Sequence, residues 1–409
     1  MMKRRAFLGA GGLVAAAGLA LALPQHSSGS DTPPAPPPIR AEASIAAPVH
    51  QHQIDYDRFD RRLRQLMEKP YMVGMAVGVV ENGEITFLKG YGVTEAGSDE
   101  PVTPETVFRW ASVSKGVAGS LAAKLADEGK LRLDESIARY SANLLLPEGA
   151  QRQARIEDVL SHRLGLWRNA YDDRLEDGQD PDQIRRDLMG TQLTCAPGTC
   201  WSYQNVAFDA ATDVVEKITG RTYATAVKNE LFRPLGMRSA SLDREGLVNS
   251  PNWARPHSAG RRPLEVQEAY YRVPAAGGVN SNIKDLATWL QAQMGLFPDV
   301  LSGKALSLAH EPRVATPNEN RRLRNFRERV GDPRYGLGWR IYDYAGRRLV
   351  GHRGGVDGYR SLILFDPEMK TGVVAMWNSN AGKPTGLQFE LMDLAYQLEH
   401  RDWLEIDKG

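Results

Sequence analysis

The sequence predicts an α/β fold, an antiparallel sheet built from both termini and flanked by helices, with an inserted, mainly α-helical lobe. Three observations predict it. Apolar runs with a turn signal between them stand near the N-terminus at residues 73–88, further strand-like runs stand at 348–376, and the stretch between is dominated by helix-period patterns. Strands at both ends and helices in the middle make one layered domain when the terminal strands share a sheet and the helices cover it.

Order is expected to begin near Ile54, where Asp57, Phe59, Leu63 and Leu66-Met67 fit an amphipathic helix. Val73 to Val80, Asn82-Gly83 and Ile85 to Leu88 then read as a hairpin with an Asn-Gly turn. At the other end, Arg348 to Gly351, Tyr359 to Phe365 and Gly372 to Met376 read as strands, with Asp366-Pro-Glu-Met-Lys-Thr-Gly372 as the last turn. A closing helix is expected from Gly386 to Trp403. The sheet is therefore placed at about 70–110 and 335–380, with the helical lobe within 111–334 of a domain spanning 55–405. Arg313 to Pro333, rich in Arg, Asn and Glu, reads as a solvated loop or short helical insert.

With 51 basic and 50 acidic residues the formal charge is +1, and without residues 1–22, which hold Lys3, Arg4, Arg5 and no acid, it is −2. That balance predicts neither a nucleic-acid partner nor an anionic membrane surface. Lys3-Arg4-Arg5-Ala-Phe-Leu8 followed by a weakly apolar run to Leu23 reads as a twin-arginine export signal over 1–22, with Ala20-Leu-Ala22 as a small-x-small cleavage site. Residues 23–54, containing Asp31-Thr-Pro-Pro-Ala-Pro-Pro-Pro38, read as a Pro-rich disordered tether. A periplasmic or secreted protein with no membrane span in its mature form is the expectation.

The two cysteines, Cys195 and Cys200, stand close together, and in an exported chain such a pair reads as a disulfide. Closing so small a loop contributes about 2 kcal/mol in the chain-entropy model. Two thiols without a metal-spaced histidine pair do not make a zinc site, and no cofactor is expected.

The chemistry centres on Ser112-Val-Ser-Lys115, at the mouth of a helix that the run Gly116 to Glu128 continues. A Ser and a Lys three apart on a helix lie one turn above each other, which gives a nucleophile a neighbouring base. The motif alone decides little, since Ser281-Asn-Ile-Lys284 has the same form. Its company separates the two. Downstream of Ser112 come Tyr203-Gln-Asn205 and then His352-Arg-Gly354-Gly355 leading into a strand. Ser281 and Lys284 instead fit the start of a helix over Ile283 to Met294, with Ser281 or Asn282 as its N-cap.

These three elements, in this order and at these wide spacings, resemble the serine β-lactamase and penicillin-binding protein superfamily, and within it the branch of class C β-lactamases, D,D-carboxypeptidases and esterases. The resemblance runs from about Asp55 to Trp403 and includes Thr106-Val-Phe-Arg-Trp-Ala, Leu160-Ser-His-Arg-Leu-Gly165-Leu, Pro197-Gly-Thr-Cys-Trp-Ser and Gly277-Gly-Val-Asn-Ser. It implies the β-lactamase/D,D-peptidase fold, with the active site in a cleft between sheet and helical lobe. It also implies that Ser112 attacks a carbonyl, that Lys115 and Tyr203 move its proton as one unit, and that Asn205 holds the Lys115 amine or the substrate's amide. The backbone N–H groups of Ser112 and Gly355 would form the oxyanion hole, with His352 and Gly354 supporting the substrate. Which of Lys115 and Tyr203 is formally the base stays open.

The third motif departs from the Lys-Thr-Gly usual in class C β-lactamases. His352 can donate a hydrogen bond or carry charge near neutral pH, but it is a less dependable counter-ion than lysine. Arg353 replaces the threonine, either supplying a guanidinium to the substrate or pointing into solvent, and solvent is the expectation. Ser161-His162-Arg163 reads as a structural turn, His257 as a packing residue, and Trp110 and Trp201 as core. The loops Tyr171 to Pro181 and Arg255 to Pro274 are expected to shape the pocket.

The leading functional expectation is an exported serine hydrolase acting on a small ester, amide or peptide, of carboxylesterase or D-amino-acid peptidase type. β-Lactam hydrolysis is the alternative within the same mechanism. A non-hydrolytic penicillin-binding sensor or scaffold is the alternative of another class.

Overall fold

The computed structural model describes residues 53–407. The segment read as an export signal, 1–22, and all but the end of the expected tether, 23–54, lie outside the described residues. The first helix is Tyr56–Met67, capped by the Asp55 carboxylate, which accepts from Arg58 N at 2.8 Å, and it buries Phe59, Leu63 and Leu66 on one face. Strands β1 (Gly74–Glu81) and β2 (Glu84–Gly92) follow as an antiparallel hairpin. Its turn residues Asn82 and Gly83 both have positive φ, 53° and 88°, the geometry that matches the twist of paired strands.

Among the described residues the sheet has eight strands. To β1 and β2 it adds β5 (Val314–Ala315), β6 (Val330–Tyr335), β7 (Arg340–Tyr344), β8 (Arg347–Val356), β9 (Tyr359–Asp366) and β10 (Thr371–Trp377), in the order β2-β1-β10-β9-β8-β7-β6-β5. The two chain ends meet where β1 pairs with β10, Met75 opposite Trp377 through Val80 opposite Gly372. Alternation sorts the faces. Met75, Val77, Val79, Val373 and Ala375 pack with the helices Tyr56–Met67 and Leu387–Ala395, whereas Ala76, Val80, Val374 and Met376 join the core under the helical lobe. A short ribbon of β3 (Phe108–Arg109) and β4 (Asn280–Ser281) ties the start of that lobe to its end.

The structure corrects two expectations here. The Arg313 to Pro333 stretch holds the short helix expected of it, Glu319–Arg322, but it is more than a solvated insert: it also contributes β5 and the start of β6, and its Glu319 side chain is buried. Its charge density misled because arginines elsewhere in the fold neutralise that carboxylate. The closing helix ends at Ala395 rather than Trp403, and the chain turns through Gln397 at a φ of 53°.

Two glycines are required by close approach. A Cβ on Gly338, at a φ of 76°, would lie 2.1 Å from the Lys115 carbonyl oxygen, and one on Gly354 would lie 2.1 Å from that of Trp110. The turn before β7 and the middle of β8 therefore press directly on the backbone that carries Ser112 and Lys115.

Candidate active site

From Thr106 to Ala123 every residue is buried except Ser112, which is half-buried. It lies in a 3-10 turn, Ala111–Val113, just ahead of the helix Ser114–Asp127. Ala111 has a φ of 47°, a conformation that costs a non-glycine residue about 1 kcal/mol or more and persists only where the surroundings enforce it. Here they do: Trp110 O accepts from Ser361 Oγ at 2.5 Å, and Trp110 N donates to Val279 O at 2.8 Å.

Lys115 Nζ stands 3.4 Å from Ser112 Oγ, 2.6 Å from Asn205 Oδ1 and 2.9 Å from Ala276 O. Two of its N–H bonds are thus committed to Asn205 and Ala276, and the third position faces the serine. The Ala276 turn is itself fixed, because Ala275 N donates to the buried Asp209 carboxylate at 2.9 Å and Val279 N donates to Ser114 Oγ at 3.0 Å. Asn205 is held in the one amide orientation that suits both neighbours, its Nδ2 donating to Asp172 Oδ2 at 2.6 Å. The Tyr203 ring centroid lies 4.8 Å from Lys115 Nζ, and Tyr203 is buried to all but its edge on the cleft. Cys195 and Cys200 are bonded, with Cα atoms 6.2 Å apart, in the loop that delivers Tyr203.

A cleft of about 920 Å³ opens over these groups, and Ser112, Tyr203, Asn205, Gly354 and Gly355 all line it. The chain that builds this cleft matches the Beta-lactamase family model over residues 59–397. The chain belongs to the Beta-lactamase family. It is 28% identical over 361 residues to the unguisins hydrolase of Aspergillus campestris, and 23% identical over 332 residues to Protein flp of Staphylococcus aureus. Those matches take in 83% and 79% of this chain but 65% and 63% of the relatives' length. In fold it is similar to the octameric penicillin-binding protein homologue of Pyrococcus abyssi (TM-score 0.75, 24% identity, 85% of this chain and 78% of that one) and to a class C β-lactamase (TM-score 0.68, 22% identity, 85% and 97%).

The third motif of this Beta-lactamase family member is built unlike the expectation for it. His352 is buried and does not line the cleft. Gln204 N–H donates to His162 Nδ1 at 3.1 Å, so the neutral His162 carries its proton on Nε2 and gives it to Tyr335 Oη at 3.2 Å. Tyr335 Oη–H in turn donates to His352 Nε2 at 2.9 Å, and His352 Nδ1–H donates to Arg353 O at 2.9 Å. Burial, reinforced by nearby Lys115 and Arg340, pushes both imidazoles well below the usual histidine range. His352 is therefore a neutral strut that fixes β8 behind the cleft, not a counter-ion. Its partner His162, read from sequence as a plain turn, forms the other end of the strut.

Arg353 corrects the expectation of a solvent-facing side chain. It lines the cleft and lies 3.3 Å from Glu319 Oε2, which Arg340 Nη1 also reaches at 2.9 Å. Arg322 and Arg168 approach the other oxygen at 3.8 and 4.0 Å. Burial acts to raise the Glu319 carboxyl, but the four guanidiniums outweigh it and hold the group below the usual range. Four cations around one carboxylate leave this wall of the cleft strongly positive.

The second Ser-x-x-Lys segment and His257 are structural, as expected. Ser281 Oγ accepts from Trp110 Nε1 at 2.9 Å, Asn282 caps the helix Ile283–Gln293, and Lys284 pairs with Glu105 at the surface. His257 is packed between Asn378 O and Ala96 N–H at 3.0 and 3.1 Å. Sequence reasoning missed Asp172, Glu319, Tyr335 and Arg340. The one available signal was Arg340 between Trp339 and Ile341 at the start of a strand, where an unpaired buried guanidinium is costly. Among the described residues no cluster is arranged to hold a metal ion, and no helix is long and apolar enough to cross a membrane.

Proposed function

We propose that this protein is an acyl-transferring serine hydrolase in which Ser112 is the nucleophile, acting on an amide or ester whose leaving group carries a carboxylate. The observation that carries the reading is the Ser112–Lys115 pair, with the amine's other bonds tied to Asn205 and Ala276 and the serine half-exposed at the floor of the cleft. With one proton missing from the Lys115–Tyr203 unit, that unit accepts the Ser112 proton as Oγ bonds to the carbonyl carbon. Backbone N–H groups of Ser112 and Gly355 receive the oxyanion. The C–N or C–O bond then breaks, the proton passes to the leaving atom through Tyr203, and water cleaves the Ser112 ester by the same route in reverse.

The positive wall selects among substrates. Arg168 and Arg340 lie 5.6 Å from the Tyr203 ring centroid, and Arg353 lines the cleft beside Gly354. A leaving group protonated by Tyr203 therefore departs next to guanidiniums, which favours a D-amino-acid peptide over a neutral ester. A β-lactam also bears a carboxylate, and the same arginines support slow β-lactam turnover as the second reading. Export rests on the Lys3-Arg4-Arg5 segment and the paired cysteines.

Intact-protein mass spectrometry of wild type and Ser112→Ala after exposure to a penicillin, a cephalosporin and an activated short-chain ester tests the reading, with release of D-alanine from N-acetyl-D-Ala-D-Ala followed in parallel. Turnover or adducts in wild type alone support it. Equal activity in the Ser112→Ala protein contradicts it.

A further inference from the structure

The wall of the cleft beside Asn205 has the opposite sign. The short helix Asp172–Glu176 brings Asp172, Asp173 and Glu176 to the lining, and none of the three forms an ion pair among the described residues. Asp172 is only 7% exposed; one of its oxygens accepts from Asn205 Nδ2, while the other, Oδ1, has no hydrogen-bond partner. Glu176, four residues on and so on the same helix face, accepts from Tyr270 Oη at 2.7 Å, and Tyr270 also lines the cleft. Neighbouring cations are engaged elsewhere: Lys115 with Asn205 and Ala276, Arg168 towards Glu319, and Arg272 with the backbone carbonyls of Leu175, Gly178 and Gln179. A buried carboxylate oxygen without a partner costs about 1 to 3 kcal/mol, and a second carboxylate beside it adds repulsion.

We propose that Asp172 and Glu176 form a cation subsite that binds a primary ammonium on the acyl part of the substrate. This rests on the acyl-transfer reading above: with the leaving group at Tyr203 and the arginines, the acyl part lies towards Asn205 and the helix Asp172–Glu176. An ammonium entering beside Glu176 separates the two negative charges, and a small shift of the Asp172 side chain brings its unpartnered Oδ1, closed to solvent here, into reach as an acceptor. The cleft is then bipolar, and its substrate carries an amine on the acyl side and a carboxylate on the leaving side of the scissile bond.

Two isosteric pairs of p-nitrophenyl esters test it: D-alanyl against isobutyryl, and 3-aminopropanoyl against butanoyl. Each pair exchanges an ammonium for a methyl group, at the α or β carbon. Wild type is expected to favour at least one charged ester over its isostere by tenfold or more in kcat/KM after subtraction of spontaneous hydrolysis. Asp172→Asn and Glu176→Gln are each expected to cut that ratio at least fivefold. A ratio that neither variant changes, including a loss of kcat shared equally by both members of a pair, would show that Asp172 only positions Asn205 and would overturn the subsite. So would a wild type that prefers the neutral esters. If instead Ser112→Ala hydrolyses every ester as well as wild type does, or wild type hydrolyses none, the acyl-transfer reading itself has failed.

Discussion

Ser112-Val-Ser-Lys115 and Ser281-Asn-Ile-Lys284 have the same spacing and opposite fates, and the two segments touch. Ser281 accepts from the indole of Trp110, two residues ahead of Ser112, and β4, which ends at Ser281, pairs with β3, which leads to Trp110. Lys284, in the first turn of its helix, reaches outward to Glu105 at 2.5 Å, while Lys115 is wholly buried among three oxygen acceptors. The second segment is thus part of the cradle of the first. A nucleophile is made by where the chain places a Ser and a Lys, and by what surrounds the amine, more than by the three-residue spacing.

Paired substitutions can break that contrast. Ser112→Ala is expected to lower kcat/KM for an activated ester by about 10⁴-fold or more, while Ser281→Ala stays within a few-fold, measured by steady-state kinetics. Lys115→Ala should cost about 10³-fold in kcat, and Lys284→Ala less than about twofold. Tyr203→Phe is expected to reduce kcat about 10²-fold with KM changed only a few-fold; a change confined to KM would remove Tyr203 from proton transfer.

Stability separates the segments in a second way. Burial raises the Asp172 carboxyl from its usual 3.8 to about 6, against smaller opposing contributions from Asn205 and Lys115. The folded state therefore binds more protons than the unfolded state between those values, and this group's contribution to stability falls as pH rises from about 4 to about 6. Asp172→Asn removes that penalty. Relative to wild type it should gain about 1 to 3 kcal/mol more at pH 7.5 than at pH 4 in urea denaturation, the reverse of what a removed salt bridge would show. Ser281→Ala leaves the buried Trp110 N–H without its acceptor and is expected to lose about 1 kcal/mol with little dependence on pH.

Periodicity and turn chemistry made much of this molecule legible. The Asn82-Gly83 hairpin and the three C-terminal strands β8, β9 and β10 are local signals, and the motifs around Ser112, Tyr203 and Gly354 do fall on one cleft. Their pairing into one sheet follows from having strands at both ends. What stayed hidden is long-range charge. Glu319 looked solvated because the arginines that surround it, Arg168, Arg340 and Arg353, are scattered along the sequence. His352 looked like a substrate contact because only the fold reveals that Tyr335 and His162 stand behind it. Asp172 gave no signal, since its partner Asn205 is 33 residues away and its empty oxygen is a property of the cleft.

Peptide mapping of the covalent intermediate tests the central claim most directly. Wild type is quenched in acid during turnover of an activated ester, digested, and searched for the acyl group on Ser112 and on Ser281. The acyl mass is expected on the peptide carrying Ser112, and is expected to be absent from the Ser112→Ala protein. An acyl group on the Ser281 peptide, or one that persists when Ser112 is removed, would contradict it.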